Sequence, residues 1–106
     1  MFSYLKGFLA QKGQNFVVID VSGIGFKVYT SLTSLQSIGA NAENTPVTFY
    51  TYMYIKEGIM DLYGFSTAEE LNMFELLISV SGVGAKGAIA VLSSLTPQKL
   101  AVSLVT

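Results

Sequence analysis

At Gly64 the apolar pattern of this chain changes period, and that switch limits what it can fold into more than any other feature. Before Gly64, apolar residues alternate with period two or cluster in runs of strand length. After it they recur every three or four residues. A strand-rich N-terminal part, residues 1–64, is therefore expected to precede a helical part, residues 65–106. The length suits one domain of ordinary size, or two very small ones sharing a surface.

The strand readings are individually short. Met1–Leu9 is apolar and β-compatible, Gly13-Gln14-Asn15 signals a turn, and Phe16–Val21 is an apolar run. Ser22-Gly23-Ile24-Gly25 is read as the next turn, with Phe26–Tyr29 alternating after it. Leu32–Ile38 fits a short helix or a turn ending near Gly39, and 41–46 reads as polar loop. In the next strand Val47, Phe49, Thr51, Met53 and Ile55 fall on one face, with Tyr50, Tyr52 and Tyr54 on the other. Gly58 marks a turn before a last strand, Met60–Tyr63. Five short strands with one helical connection predict a small closed barrel of the OB kind.

Beyond Gly64, Ser66 or Thr67 can cap a helix with Glu69 and Glu70 in its first turn. Leu71, Phe74, Leu77 and Ile78 give that helix its apolar face, and Ala88, Val91, Leu92 and Leu95 give one to a second helix. Thr96-Pro97 is read as the cap and first position of a third.

Composition removes most chemistry. The chain has no Cys and no His, which excludes thiolate nucleophiles, imidazole bases, disulfides and the usual zinc sites. Net charge is −1 and only 12% of residues are charged, so wholesale coating of nucleic acid is excluded and any contact must be local. All six basic residues are Lys. Bidentate reading of guanine favours Arg, so a DNA contact here is expected to reach phosphates or shape. No apolar run approaches the roughly 18 residues of a membrane span.

The local candidate is the glycine turn between the two helices, Gly82-Val83-Gly84, with Lys86 in the first turn of the second helix. Glycines at 82 and 84 permit positive φ and close approach of a ligand. Main-chain N–H groups of the turn and of the following helix would converge on one phosphate oxygen, and Lys86 would add a full charge. The reading requires those amides to be uncommitted within the protein. Its plain alternative is a connection between packed helices. Gly82–Gly87 also satisfies G-x-G-x-x-G, but the dinucleotide fingerprint needs flanking strands and a later acidic residue, and no Asp or Glu follows Glu75. The same lack argues against a hairpin-containing glycosylase.

On these residues the chain resembles the RuvA family. Leu5-Lys6-Gly7 is similar to that family's first strand, and Ile19-Asp20-Val21-Ser22-Gly23-Ile24-Gly25-Phe26-Lys27-Val28 to its D-V-x-G-V-G-Y-x-V signature. Leu62-Tyr63-Gly64-Phe65, followed by Ser81-Gly82-Val83-Gly84-Ala85-Lys86, is the most specific part. The resemblance implies an OB barrel followed by a helix-hairpin-helix region truncated after its first motif. It implies a cytoplasmic homotetramer that binds four-way (Holliday) junction DNA in recombination and repair and takes no cofactor. It further implies a non-catalytic subunit that recruits the hexameric ATPase RuvB through a C-terminal domain expected to lie outside this chain. Gly82, Val83, Gly84 and Lys86 would hold DNA phosphate, and Glu57 would be an acidic pin at the crossover, although Gly58 stands where the family has a second acidic residue. The competing reading is an oligomerisation or protein-interaction module that does not touch DNA. The three tyrosines of the fourth strand could stack on bases, but packing within the protein is the favoured expectation.

Overall fold

The computed structural model describes residues 2–39, 44–80 and 82–94. Five strands form a closed barrel: β1 (Tyr4–Lys12), β2 (Phe16–Val21), β3 (Ile24–Tyr29), β4 (Pro46–Lys56) and β5 (Ile59–Phe65). Their order around the barrel is β1-β2-β3-β5-β4. One short helix, α1 (Leu32–Ser37), connects β3 to β4, which is the connectivity expected of an OB barrel. Two helices follow, α2 (Ala68–Ser79) and α3 (Ala85–Ser93). The predicted third helix at Thr96-Pro97 and the first half of the 41–46 loop lie outside the described residues.

Strand bounds differ from the sequence reading where turns are tighter than composition suggests. The β2–β3 hairpin uses only Ser22 and Gly23, at φ +54° and +90°, and Val21 already pairs with Ile24. Positive φ at both central residues matches the right-handed twist of the flanking strands, so pairing resumes two residues earlier than expected. The Gly23 amide donates to Asp20 Oδ1 at 2.8 Å and fixes the turn. β1 starts at Tyr4 and extends to Lys12 through an irregularity between Leu9 and Gln11.

Barrel closure is uneven. β1 and β4 pair antiparallel over five residues, whereas β3 meets β5 in parallel through the single pair Tyr29 and Tyr63. Inside the barrel sit Leu5, Leu9, Val17, Ile19, Val28, Leu35, Phe49 and Leu62. The predicted face of β4 holds for Val47, Phe49 and Met53, which join this core. Ile55 is exposed, because β4 runs past the barrel toward its hairpin tip.

A second apolar cluster joins the barrel's outer face to the helices. Phe74 of α2 is fully buried and stacks on Tyr63 (centroids 5.3 Å apart), with Phe65 at 5.1 Å and Tyr52 at 5.9 Å. Tyr54 meets Tyr63 edge-on at 5.8 Å. Tyr52 and Tyr54 are thus engaged in packing, as the favoured expectation had it. From α3, Ala85, Ala88 and Leu92 are buried and Ile89 packs beside them. Val91, expected on that face, is 45% exposed. The 85-88-89-92 spacing is the stripe that faces the barrel, and Val91 lies off it.

Polar groups lock the helices to the barrel. Thr67 caps α2, its side chain accepting from the Glu70 amide at 3.2 Å. Glu70 does more than face the helix dipole. Its carboxylate is buried and accepts from the hydroxyls of Ser31 and Ser34, the latter at 2.5 Å. Ser31 is itself the cap of α1, and Ser34 Oγ accepts from the Ser66 amide at 2.9 Å. Burial pushes the Glu70 carboxyl above the ordinary glutamate range, and the two serine bonds pull it back only in part.

Candidate nucleic-acid interface

α2 gives way to α3 through a bend whose internal bonding determines what it can offer a ligand. The Val80 amide donates to Leu77 O at 3.2 Å, ending α2, and the Val83 amide donates to Val80 O at 3.1 Å. Gly82, at φ +86°, carries the left-handed conformation this bend needs. Gly84 does not use that freedom. Its φ of −92° and ψ of −179° are extended, and it stands as the N-cap of α3 with no side-chain cap. A Cβ there would meet only Tyr54 Oη, at 3.9 Å. Neither backbone conformation nor close packing requires glycine at 84, and its absent side chain leaves the backbone bare there.

The first helical bond of α3 runs from the Ala88 amide to Gly84 O at 3.0 Å. Among the described residues, the amides of Gly84, Ala85, Lys86 and Gly87 donate to no acceptor, as expected of a helix start without a side-chain cap. Lys86 and Gly87 are exposed. The Val83 amide, by contrast, is spent inside the bend, and its half-buried side chain packs with the second cluster. Of the four predicted residues, Gly84 and Lys86 therefore offer donors, Gly82 shapes the bend, and Val83 anchors it.

Beside this bend, between the β3–β5 seam and α3, lies a cleft of about 510 Å³ lined by Asn15, Tyr29, Thr30, Asp61, Tyr63, Lys86 and Ile89. The strands hardly pair at the seam, and α3 covers it from one side. The Thr30 amide donates to Asn15 O at 3.0 Å and ties the two together. Thr30 is 1% exposed and its Oγ1 has no hydrogen-bond partner among the described residues. The Tyr63 hydroxyl is held above the ordinary phenol range, first by burial and then by the Asp61 carboxylate. Sequence reasoning missed Asn15, Thr30 and the cleft role of Asp61. They come from separate segments with no shared motif, and only barrel closure brings them together. One consequence is measurable. A buried hydroxyl without a partner costs stability, so Thr30→Val is expected to raise unfolding free energy by about 1 kcal/mol, read from urea denaturation.

Glu57 stands exposed at the two-residue β4–β5 turn, followed by Gly58 at φ +76°. Ile55, Ile59 and Met60 around it are exposed as well. Asp61 pairs with Tyr54, three rungs below the tip, and faces the cleft instead of the tip. Among the described residues no group of acidic side chains could hold a metal ion, and no helix is long and apolar enough to cross a membrane.

The family model described as RuvA N terminal domain matches residues 1–64. Three proteins named Holliday junction branch migration complex subunit RuvA align with all of this chain. That of Acetivibrio thermocellus is 44% identical over 106 residues, 52% of its own length. That of Ruminiclostridium cellulolyticum is 42% identical over 106 residues, also 52% of its length. That of Dehalococcoides mccartyi is 40% identical over 106 residues, 54% of its length. The chain thus spans about half the length of the curated relatives it matches.

Proposed function

The chain belongs to the RuvA family, and from that premise we propose that it is a non-catalytic, four-way-junction DNA-binding subunit of a branch-migration complex. The observation that carries this reading is the run of amides at the start of α3 that find no acceptor among the described residues, with Lys86 beside it. Backbone amides and one ammonium grip a phosphate and ignore the base, which is what a protein with net charge −1 and no Arg can afford. In this reading α2, the bend and α3 form a helix-hairpin-helix motif. Gly82 sets the bend, Gly84 and Lys86 contact DNA phosphate, and Val83 holds the bend in shape.

Residues 1–64 are the OB-barrel domain in this proposal and 65–106 the helical one. Glu57 at the β4–β5 tip acts as the acidic pin, repelling phosphates at the crossover through its charge. With Gly58 next to it the pin is single, so strand guidance rests on one carboxylate per subunit. The subunit works in the cytoplasm as a homotetramer, and a further domain engages the hexameric ATPase RuvB.

The expected result in a gel-shift titration is tighter binding of a four-way junction than of duplex of equal length, with affinity falling as salt rises. Lys86→Ala weakens binding equally across sequences and lowers the salt slope by about one. Equal affinity for junction and duplex removes the junction reading. Unchanged binding by the variant removes the hairpin site. The oligomerisation-module reading is favoured by the low charge and by exposed apolar residues, Ile55, Ile59 and Met60 near Glu57 among them, and sedimentation showing assembly without DNA association would establish it.

A further inference from the structure

The cleft between the β3–β5 seam and α3 is not needed to hold a phosphate, yet it adjoins the amides that would. Lys86 lines it, so one side chain belongs to both places. Its volume of about 510 Å³ falls within the roughly 300–1,000 Å³ of small-molecule sites. The rings of Tyr29 and Tyr63 are 5.7 Å apart and tilted by 39°, and with Ile89 they give the lining an aromatic and apolar part. Asn15 contributes an amide, Asp61 a carboxylate, and Thr30 a hydroxyl that finds no partner among the described residues although the residue is 1% exposed. A second phosphate does not suit this lining, because Asp61 repels it. A purely apolar occupant would leave the amide, carboxylate and hydroxyl without partners. A flat ring with a hydrogen-bonding edge satisfies both the aromatic and the polar groups.

We propose that this cleft receives one unpaired nucleobase, whose own phosphate is held by the α3 amides and Lys86, with Asp61 accepting from the base's amino edge. The inference rests on the phosphate-binding reading of the hairpin and adds a base site to it. An ionised carboxylate only accepts hydrogen bonds, so the cleft prefers bases that carry an exocyclic amine. Thymine has none. Its N3–H is flanked by two carbonyls that Asp61 repels. The site would let an unpaired base leave the helical stack and come to rest against protein while its backbone stays gripped.

The test is an amide-resolved NMR titration of the chain with three probes: dGMP, dTMP and inorganic phosphate. dGMP is expected to shift the amides of Asn15, Thr30, Tyr63 and Ile89 together with those of Gly84–Gly87. Inorganic phosphate should shift the second group alone, and dTMP should bind several-fold more weakly than dGMP. Asp61→Asn should erase the difference between dGMP and dTMP. Thr30→Val, which the fold should tolerate with an equal or higher melting temperature, should weaken dGMP several-fold and leave the response to inorganic phosphate unchanged. If dGMP moves only Gly84–Gly87, as inorganic phosphate does, the base site is overturned and the hairpin site stands. If no probe moves Gly84–Gly87, the hairpin reading falls and the base site with it.

Discussion

Phe74→Ala is expected to cost about 3–5 kcal/mol of unfolding free energy, the largest loss of any single truncation in the second cluster. Phe74 is fully buried and contacts Tyr52, Tyr63 and Phe65 at once. Removing the ring deletes three aromatic pairs and opens a cavity where α2 meets the barrel. The barrel's own core contains none of these residues, so the damage falls on the seating of the helices. On the proposed reading, junction affinity should fall together with stability, because α3 packs through the same cluster. Urea denaturation measures the first effect and gel shift the second. A loss below about 1 kcal/mol would mean that the helices are held by something other than this ring stack.

The second large effect is expected at Glu70. Glu70→Ala takes away the acceptor to which the buried hydroxyls of Ser31 and Ser34 donate and leaves a gap, at a cost of about 2–4 kcal/mol. The wild-type residue also sets a pH dependence. Burial raises the Glu70 carboxyl above its unfolded value, so the folded state binds more protons in the interval between the two. The stability this contributes is fully present below the unfolded value and is lost as pH rises through the folded one. Glu70→Gln keeps the shape and cannot ionise, so it should remove that decline. Urea midpoints collected between about pH 4 and pH 8 test this. An identical pH profile for wild type and Glu70→Gln would show that Glu70 does not titrate differently on folding.

Much of this architecture was legible because period carries it. The alternation in β4 put Phe49 and Met53 inside and the tyrosines outside, and the three-four spacing found the face of α2 that holds Phe74. Legibility failed where geometry is decided by partners distant in sequence. Glu70 looked like a dipole-compensating residue at a helix start, and only the arrival of α1 turned it into a buried acceptor. Val91 fitted a helical stripe as well as Ile89 did, and the barrel's position chose between them. At the bend between α2 and α3, residue types could not say which amide would be spent internally, and the structure commits that of Val83 to Val80 O. Two glycines look alike in a sequence, yet Gly82 takes a left-handed φ while Gly84 takes an extended backbone that any residue adopts. The cleft was invisible for the same reason as Glu70, since Asn15, Thr30 and Asp61 share no motif.

The internal bond from the Val83 amide to Val80 O sets the bend within the protein itself, so on the proposed reading little chain ordering opposes the grip on DNA. Donors of this kind see the same phosphate geometry at every nucleotide. A duplex advancing past them one step at a time would meet nearly equal wells, with no sequence at which it stalls.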